Sequence, residues 1–234
     1  MESQGFSSFV SLMTALSGGM WVSVKVFFLT LLFSLPGGLL IAFGRMSKLK
    51  VISVPVNIFM LIIRGTPLML QIIFVYFAPA HLSQIFGQRF HFDRFIAVII
   101  AFAVNYAAYF AEIYRGGIES IPKGQYEAAK VLGFTKSQTF FKIILPQVIK
   151  RILPATGNEV ITLVKDTSLA QVIGVVELFR VAYNFASSRV SVAPLFVAGV
   201  FYFFMNWVVS FTFEKLEKMP KVQPKSGRKR KIGK

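Results

Sequence analysis

Apolar residues in this chain gather into long runs instead of alternating with polar ones, and those runs set the expected elements. A helix that crosses a bilayer needs about 20 mostly apolar residues. Five stretches qualify, at about 20–43, 52–80, 95–113, 148–164 and 194–213. The second spans about 29 residues, roughly 43 Å as a single helix at 1.5 Å per residue, too long for one upright crossing. Arg64-Gly65-Thr66-Pro67 interrupts it near the centre. A broken helix is predicted there, and such a break frees backbone groups to meet polar ligand atoms. A further apolar stretch, 169–179, is too short to span and reads as a re-entrant or interfacial piece. Residues 1–19 carry Glu2 as their only charge, so they read as an external leader, amphipathic or without fixed structure, and not as a signal peptide. The expected fold is all-α: a polytopic bundle of about five membrane-crossing helices.

Composition narrows the class. Of 234 residues, 55% are hydrophobic, and mean hydropathy is +0.63. The formal net charge is +16. High hydrophobicity with few acids excludes a disordered chain and an ordinary soluble enzyme. The basic residues also orient the bundle, because cytoplasmic loops collect Lys and Arg. With five spans, 19 of them fall on one side and 4 on the other. This places the N-terminus outside, and the loop between spans three and four and the C-terminal tail in the cytoplasm. The tail, 216–234, reads as disordered and attracted to anionic membrane lipid; it lacks the interleaved aromatics of a nucleic-acid platform, and no nucleic-acid partner is expected. The chain has no cysteine, which removes disulfides and thiolate chemistry. His81 and His91 read as loop residues without a third ligand, so no metal is expected.

The loop between spans three and four has internal order. Ile121-Pro122-Lys123 opens a short helix of good formers, Glu127 to Leu132, and Gly133 stops it. Thr135 and Gln138 form the pattern of a capping box and open a second helix through Leu145, which Pro146 is expected to end. Small residues on such an elbow allow close approach to another protein, and the flanking aromatic and aliphatic residues supply a knob for a groove. A loop that packs only on its own bundle fits the pattern equally well.

The spacing Glu127-Ala128-Ala129, Gly133, Ile143, Leu145-Pro146 resembles the EAA loop of ABC importer permeases at every motif position. The surrounding Arg64-Gly65-Thr66-Pro67, Glu112 to Gly117, Asn158-Glu159 and Lys165 to Leu169 resemble the polar amino acid permease family more narrowly. The likeness covers about 20–215. It implies a type I importer permease in a bacterial cytoplasmic membrane. It also implies docking of an ATP-binding cassette ATPase subunit on Glu127, Ala128, Ala129, Gly133, Ile143, Leu145 and Pro146. A second permease subunit, either a second copy or a paired homologue, and an extracellular or periplasmic amino-acid-binding protein would complete the assembly.

Ionisable residues inside spans are costly and mark functional positions. Arg64 beside the break could hold a carboxylate, pair with Asp166 or Glu159, or brace a structural kink. Glu159, Thr162 and Asp166, at i, i+3 and i+7, share one helix face and suggest a polar lining. Asn105, Tyr109 and Glu112 share a face of span three, with Glu112 placed to pair with Arg115. The substrate-path candidates are therefore Arg64, Thr66, Asn105, Glu159, Thr162 and Asp166. A phosphate-binding loop of the G-x-x-x-x-G-K-[ST] type does not occur, so this chain is expected to be no enzyme and to hold no cofactor, with ATP and magnesium on the partner subunit. The alternative is an ATP-independent secondary transporter or channel for small polar solutes.

Overall fold

The apolar runs fold as helices whose ends follow local chemistry. The computed structural model describes residues 2–87 and 91–218. The helices are α1 (Glu2–Arg45), α2 (Lys50–Gly65), α3 (Leu68–Phe86), α4 (Arg94–Glu119), α5 (Lys123–Val131), α6 (Lys136–Gln138), α7 (Leu145–Asp166), α8 (Leu178–Arg189) and α9 (Ala193–Glu217). A π-turn, Thr139–Ile144, joins α6 to α7, and a 3-10 segment, Thr167–Ile173, follows α7. By length and composition α1, α4 and α9 can each cross a membrane. Two bent pairs bring the number to five: α2 with α3, at 110°, and the 136–173 run with α8, at 59°.

Several sequence expectations are corrected here. The segment 1–19 is not a separate leader: from Glu2 it forms the first turns of α1. Leu12 and Leu16 are buried there with Leu178, Val181, Ala182 and Ala198, so α8 and α9 hold this end of the helix in place. Pro146 does not end the loop's second helix. Proline lacks an N–H and clashes with the carbonyl four residues back. The π-turn just before it shifts bonding to five residues, Leu145 N–H donating to Phe140 O, and the helix runs on into α7. The short piece 169–179 divides into the 3-10 segment, a left-handed Gly174 and the start of α8. His81 lies in helix α3, not in a loop. The basic tail from 219 onward, and Arg89, lie outside the described residues.

The core forms where α4 is surrounded. Phe102, Tyr106 and Phe110 of α4 are fully or almost fully buried with Val26, Ile72, Leu163 and Val164. Helices α1 and α4 run the same way: Leu29 and Phe33 lie beside Phe95 to Val104, and Arg45 reaches Glu112. Two glycines permit this closeness. A Cβ on Gly38 would lie 2.9 Å from Phe110 Cβ and 3.1 Å from the Ala107 carbonyl, and one on Gly37 would lie 3.3 Å from Ala107 Cβ. Gly38→Ala should therefore cost about 1–3 kcal/mol through overpacking. Gly18→Ala, in the same helix with nothing within 4 Å, should be neutral or better. Thermal unfolding of the two purified variants checks this; equal midpoints would contradict the packing argument.

Candidate functional site

Helix α4 carries the polar interior and distributes it to four neighbours. Asp93 caps its start, accepting from Phe95 N–H at 2.8 Å. From there Asn105, Tyr106, Tyr109 and Glu112 face α3, α7, α2 and the α1–α2 corner in turn.

The break in the second apolar stretch falls at Gly65–Pro67, where α2 ends and α3 begins. In an unbroken helix the Ile63 carbonyl would receive the N–H of residue 67, but Pro67 has none. Gln71 replaces it: its Nε2 donates to Ile63 O at 2.7 Å, to Thr66 Oγ1 at 2.9 Å and to Thr66 O at 3.2 Å. Asn105 Nδ2 in turn donates to Gln71 Oε1 at 3.0 Å. Thr66 and Asn105, both path candidates, are thus brought together by a residue that the sequence reading missed. The available signal was a glutamine one turn after a proline.

Arg64 does not pair with Asp166 or Glu159. Its Nη1 lies 3.3 Å from Glu112 Oε2, and its guanidinium lies 5.5 Å from the Tyr109 ring centroid. Glu112 also receives Arg45 from α1 and Arg115 from one turn further along α4. Three arginines from three helices converge on one carboxylate, with Arg115 shared with Glu119. Beside them a cavity of about 530 Å³ opens, lined by Arg45, Asn57, Met60, Arg64 and Gly65. The partner differs from the expected one because helix-face periodicity relates residues within one helix and says nothing about which helix lies opposite.

On α7, Asp166 accepts from Tyr106 Oη at 2.7 Å, so two helices meet there. Glu159 is half-buried and has no hydrogen-bond or salt-bridge partner among the described residues. Thr162 is exposed and donates to Asn158 O of its own helix at 3.0 Å. The six candidates therefore form two groups: Arg64, Thr66 and Asn105 around the break, and Glu159, Thr162 and Asp166 along α7. Glu177 was not anticipated at all. It is fully buried, caps α8 by accepting from Phe179 and Arg180 N–H at 2.7 Å each, and receives Tyr202 Oη at 3.0 Å and Ser23 Oγ at 3.4 Å. A glutamate just before an apolar helix start was the signal. Among the described residues no group of three His, Cys, Asp or Glu could hold a metal.

The elbow between α4 and α7 is the other notable region. In α5, Glu127 and Ala128 are exposed, whereas Ala129 is buried, facing inward. Gly133 turns the chain at φ +76°, a left-handed conformation that suits glycine. Thr135 and Gln138 exchange hydrogen bonds as a complete capping box. Val131, Leu132 and Phe141 of the elbow stand exposed, at 87%, 73% and 62%. Ile143 and Leu145 are half-buried, and Pro146 is exposed.

A bundle with two bent helix pairs, a polar seam along its central helix and a projecting helical elbow is a multi-pass membrane protein of the transport class. The chain belongs to the family of binding-protein-dependent transport system inner membrane components, which matches residues 34–220. It is 37% identical to the octopine transport system permease protein OccM of Rhizobium radiobacter over 79% of both chains. It is 32% identical to the arginine transport system permease protein ArtQ of Bacillus subtilis, over 91% of this chain and 95% of that protein. In structure it superposes on an amino acid ABC transporter crystallised with histidines at a TM-score of 0.80 and 34% identity, covering 91% of this chain and 97% of that one. The MetNI methionine ABC transporter shares the fold at a TM-score of 0.69 and 20% identity, covering 88% and 96%.

Proposed function

We propose that this chain is the permease subunit of an ATP-binding cassette importer that carries polar amino acids across a bacterial cytoplasmic membrane. The observation that carries this reading is the elbow at 122–146. Its apolar residues Val131, Leu132 and Phe141 are exposed, as a knob that enters a partner's groove would be. Glu127, Ala128, Ala129, Gly133, Ile143, Leu145 and Pro146 form that docking element. Ala129 serves from within, by seating α5 on the bundle. The N-terminus lies outside, and the elbow and tail are cytoplasmic, as the basic residues direct.

ATP and magnesium belong to the docked ATPase subunit. One chain offers one elbow, so a second permease copy or a paired homologue completes the pore. An external binding protein delivers the amino acid. Within the bundle, Arg64, Thr66 and Asn105 meet the carboxylate end of the substrate, and Glu159, Thr162 and Asp166 meet its ammonium. Names of relatives such as the cystine, arginine and octopine permeases support the substrate class. ATP-driven closure of the ATPase pair rocks the elbow and alternates access to the seam.

Proteoliposomes holding the permease, its ATPase and its binding protein should take up amino acid only with ATP inside. Uptake that persists without the ATPase would instead favour the gradient-driven transporter or channel.

A further inference from the structure

The base of the elbow contains a junction that neither docking nor substrate contact uses. Helix α4 ends at Glu119, and its last turn leaves carbonyls without helical partners. Arg151, two turns into α7, donates through Nη1 to the Ser120 carbonyl and also to Ser120 Oγ at 3.0 Å. That hydroxyl donates onward to Gly117 O at 2.7 Å. A guanidinium thus sits on the negative end of the α4 dipole, where a cation is favoured.

Around it the two helices pack closely, with Ile152 of α7 seated over Gly117 of α4. A Cβ on Gly117 would collide with the Ile152 side chain and lie 3.2 Å from Val148 Cγ1. Gly116, Gly117, Ser120 and Arg151 also border a cavity of about 380 Å³, together with Ile113, Ile152 and Ala155, so the polar contacts between α4 and α7 at this cavity come from Arg151. Below the junction, Ile121, Ile144 and Val148 are buried together, and Gln147 Nε2 donates to Gln125 Oε1 at 3.4 Å, closing the elbow on itself. The elbow is therefore joined to α7 by continuous helix, and to the end of α4 by Ser120-Ile121, by apolar packing that includes Ile118, and by the hydrogen bonds of Arg151.

We propose that Arg151 is a positioning residue that pins the end of α4 to α7, so that a push on the elbow moves both helices together. The proposal rests on the reading of the elbow as the ATPase docking element. Helix α7 carries Glu159 and Asp166, and α4 carries Asn105, Tyr106 and Glu112. Without the pin, this end of α4 would be held to α7 by non-directional apolar contacts alone, and a push that reaches α7 would move α4 less, so ATP would be spent with less substrate moved.

The test measures amino acid taken up per ATP hydrolysed by the complete complex in proteoliposomes. Arg151→Ala should assemble with the ATPase and hydrolyse ATP near the wild-type rate, yet lose roughly fivefold in uptake per ATP, a usual span for a residue on a coupling route. Arg151→Lys, which keeps the cation and N–H donors on a single nitrogen, should recover most of it. An unchanged ratio in Arg151→Ala, or uptake and hydrolysis falling by the same factor, would overturn the proposal. Since the chain has no cysteine, Ser120→Cys with Arg151→Cys adds an independent measurement. Bridging that pair with a short bis-maleimide should raise uptake per ATP above the unbridged value, and no change on bridging would count as refutation. Failure of the wild-type chain to bind any ATPase would instead strike the docking reading itself.

Discussion

Replacing Glu112 with Gln should be among the most damaging single changes in the bundle, lowering stability by about 2 kcal/mol, between the values for an exposed and for a buried ion pair broken from one side. Arg45, Arg64 and Arg115 all direct a guanidinium at this carboxylate, which is 26% exposed. The glutamine keeps the shape and a carbonyl oxygen but removes the only anion the Arg45 and Arg64 guanidiniums contact among the described residues. The arginines would then repel one another where water is scarce. A double substitution, Glu112→Gln with Arg64→Gln, should recover part of the loss, since neighbouring sites are not additive. Thermal unfolding of the detergent-solubilised protein reads both. A Glu112→Gln midpoint equal to wild type would show that the cluster contributes no stability.

The second large effect concerns the elbow. Gly133→Asp should abolish ATP-driven uptake and leave the amount of protein in the membrane unchanged. Gly133 adopts φ +76°, with nothing within 4 Å of where a Cβ would stand. Aspartate tolerates that backbone region better than most residues, so the backbone strain it adds should be about 1 kcal/mol, less than the effect on docking. What also changes is the surface: a carboxylate appears on the elbow next to exposed Val131 and Leu132 in the chain. Burying it unpaired against a partner should cost on the order of 3 kcal/mol, a hundredfold or more in affinity. Co-purification of the ATPase with the variant is the direct measurement, and normal co-purification with normal uptake would remove the elbow from the docking surface.

Much of this arrangement is legible in the sequence, and what is not has a common cause. The apolar runs mark α4 and α9 closely, and Gly65 with Pro67 marks the break, because these depend on residues near one another in the chain. The Thr135–Gln138 capping box and the Gly133 turn are local as well. The continuous helix through Pro146 was not legible, since a π-turn accommodates the proline and local propensity favours a stop. Residues 1–19 look like a leader because their packing partners, Leu178 and Ala198, lie far along the chain. For Arg64 the sequence leaves open a substrate carboxylate, the acids of α7 or a bracing role at the kink; the structure pairs it with Glu112 inside the bundle. Glu177 shows the limit most clearly: its cap on α8 is local, but only the folded chain brings Ser23 and Tyr202 to it.

The amide of Gln71 has a consequence for how the bundle changes shape. A corner whose stranded carbonyl is already satisfied, and which is tied to α4 through Asn105, has lost the usual reason for a proline kink to flex. Helices α2 and α3 should then travel as one angle bracket, carrying Arg64 with them. Bending during the transport cycle would fall instead to segments wound away from α geometry, the six residues before Leu145 and the seven after Asp166.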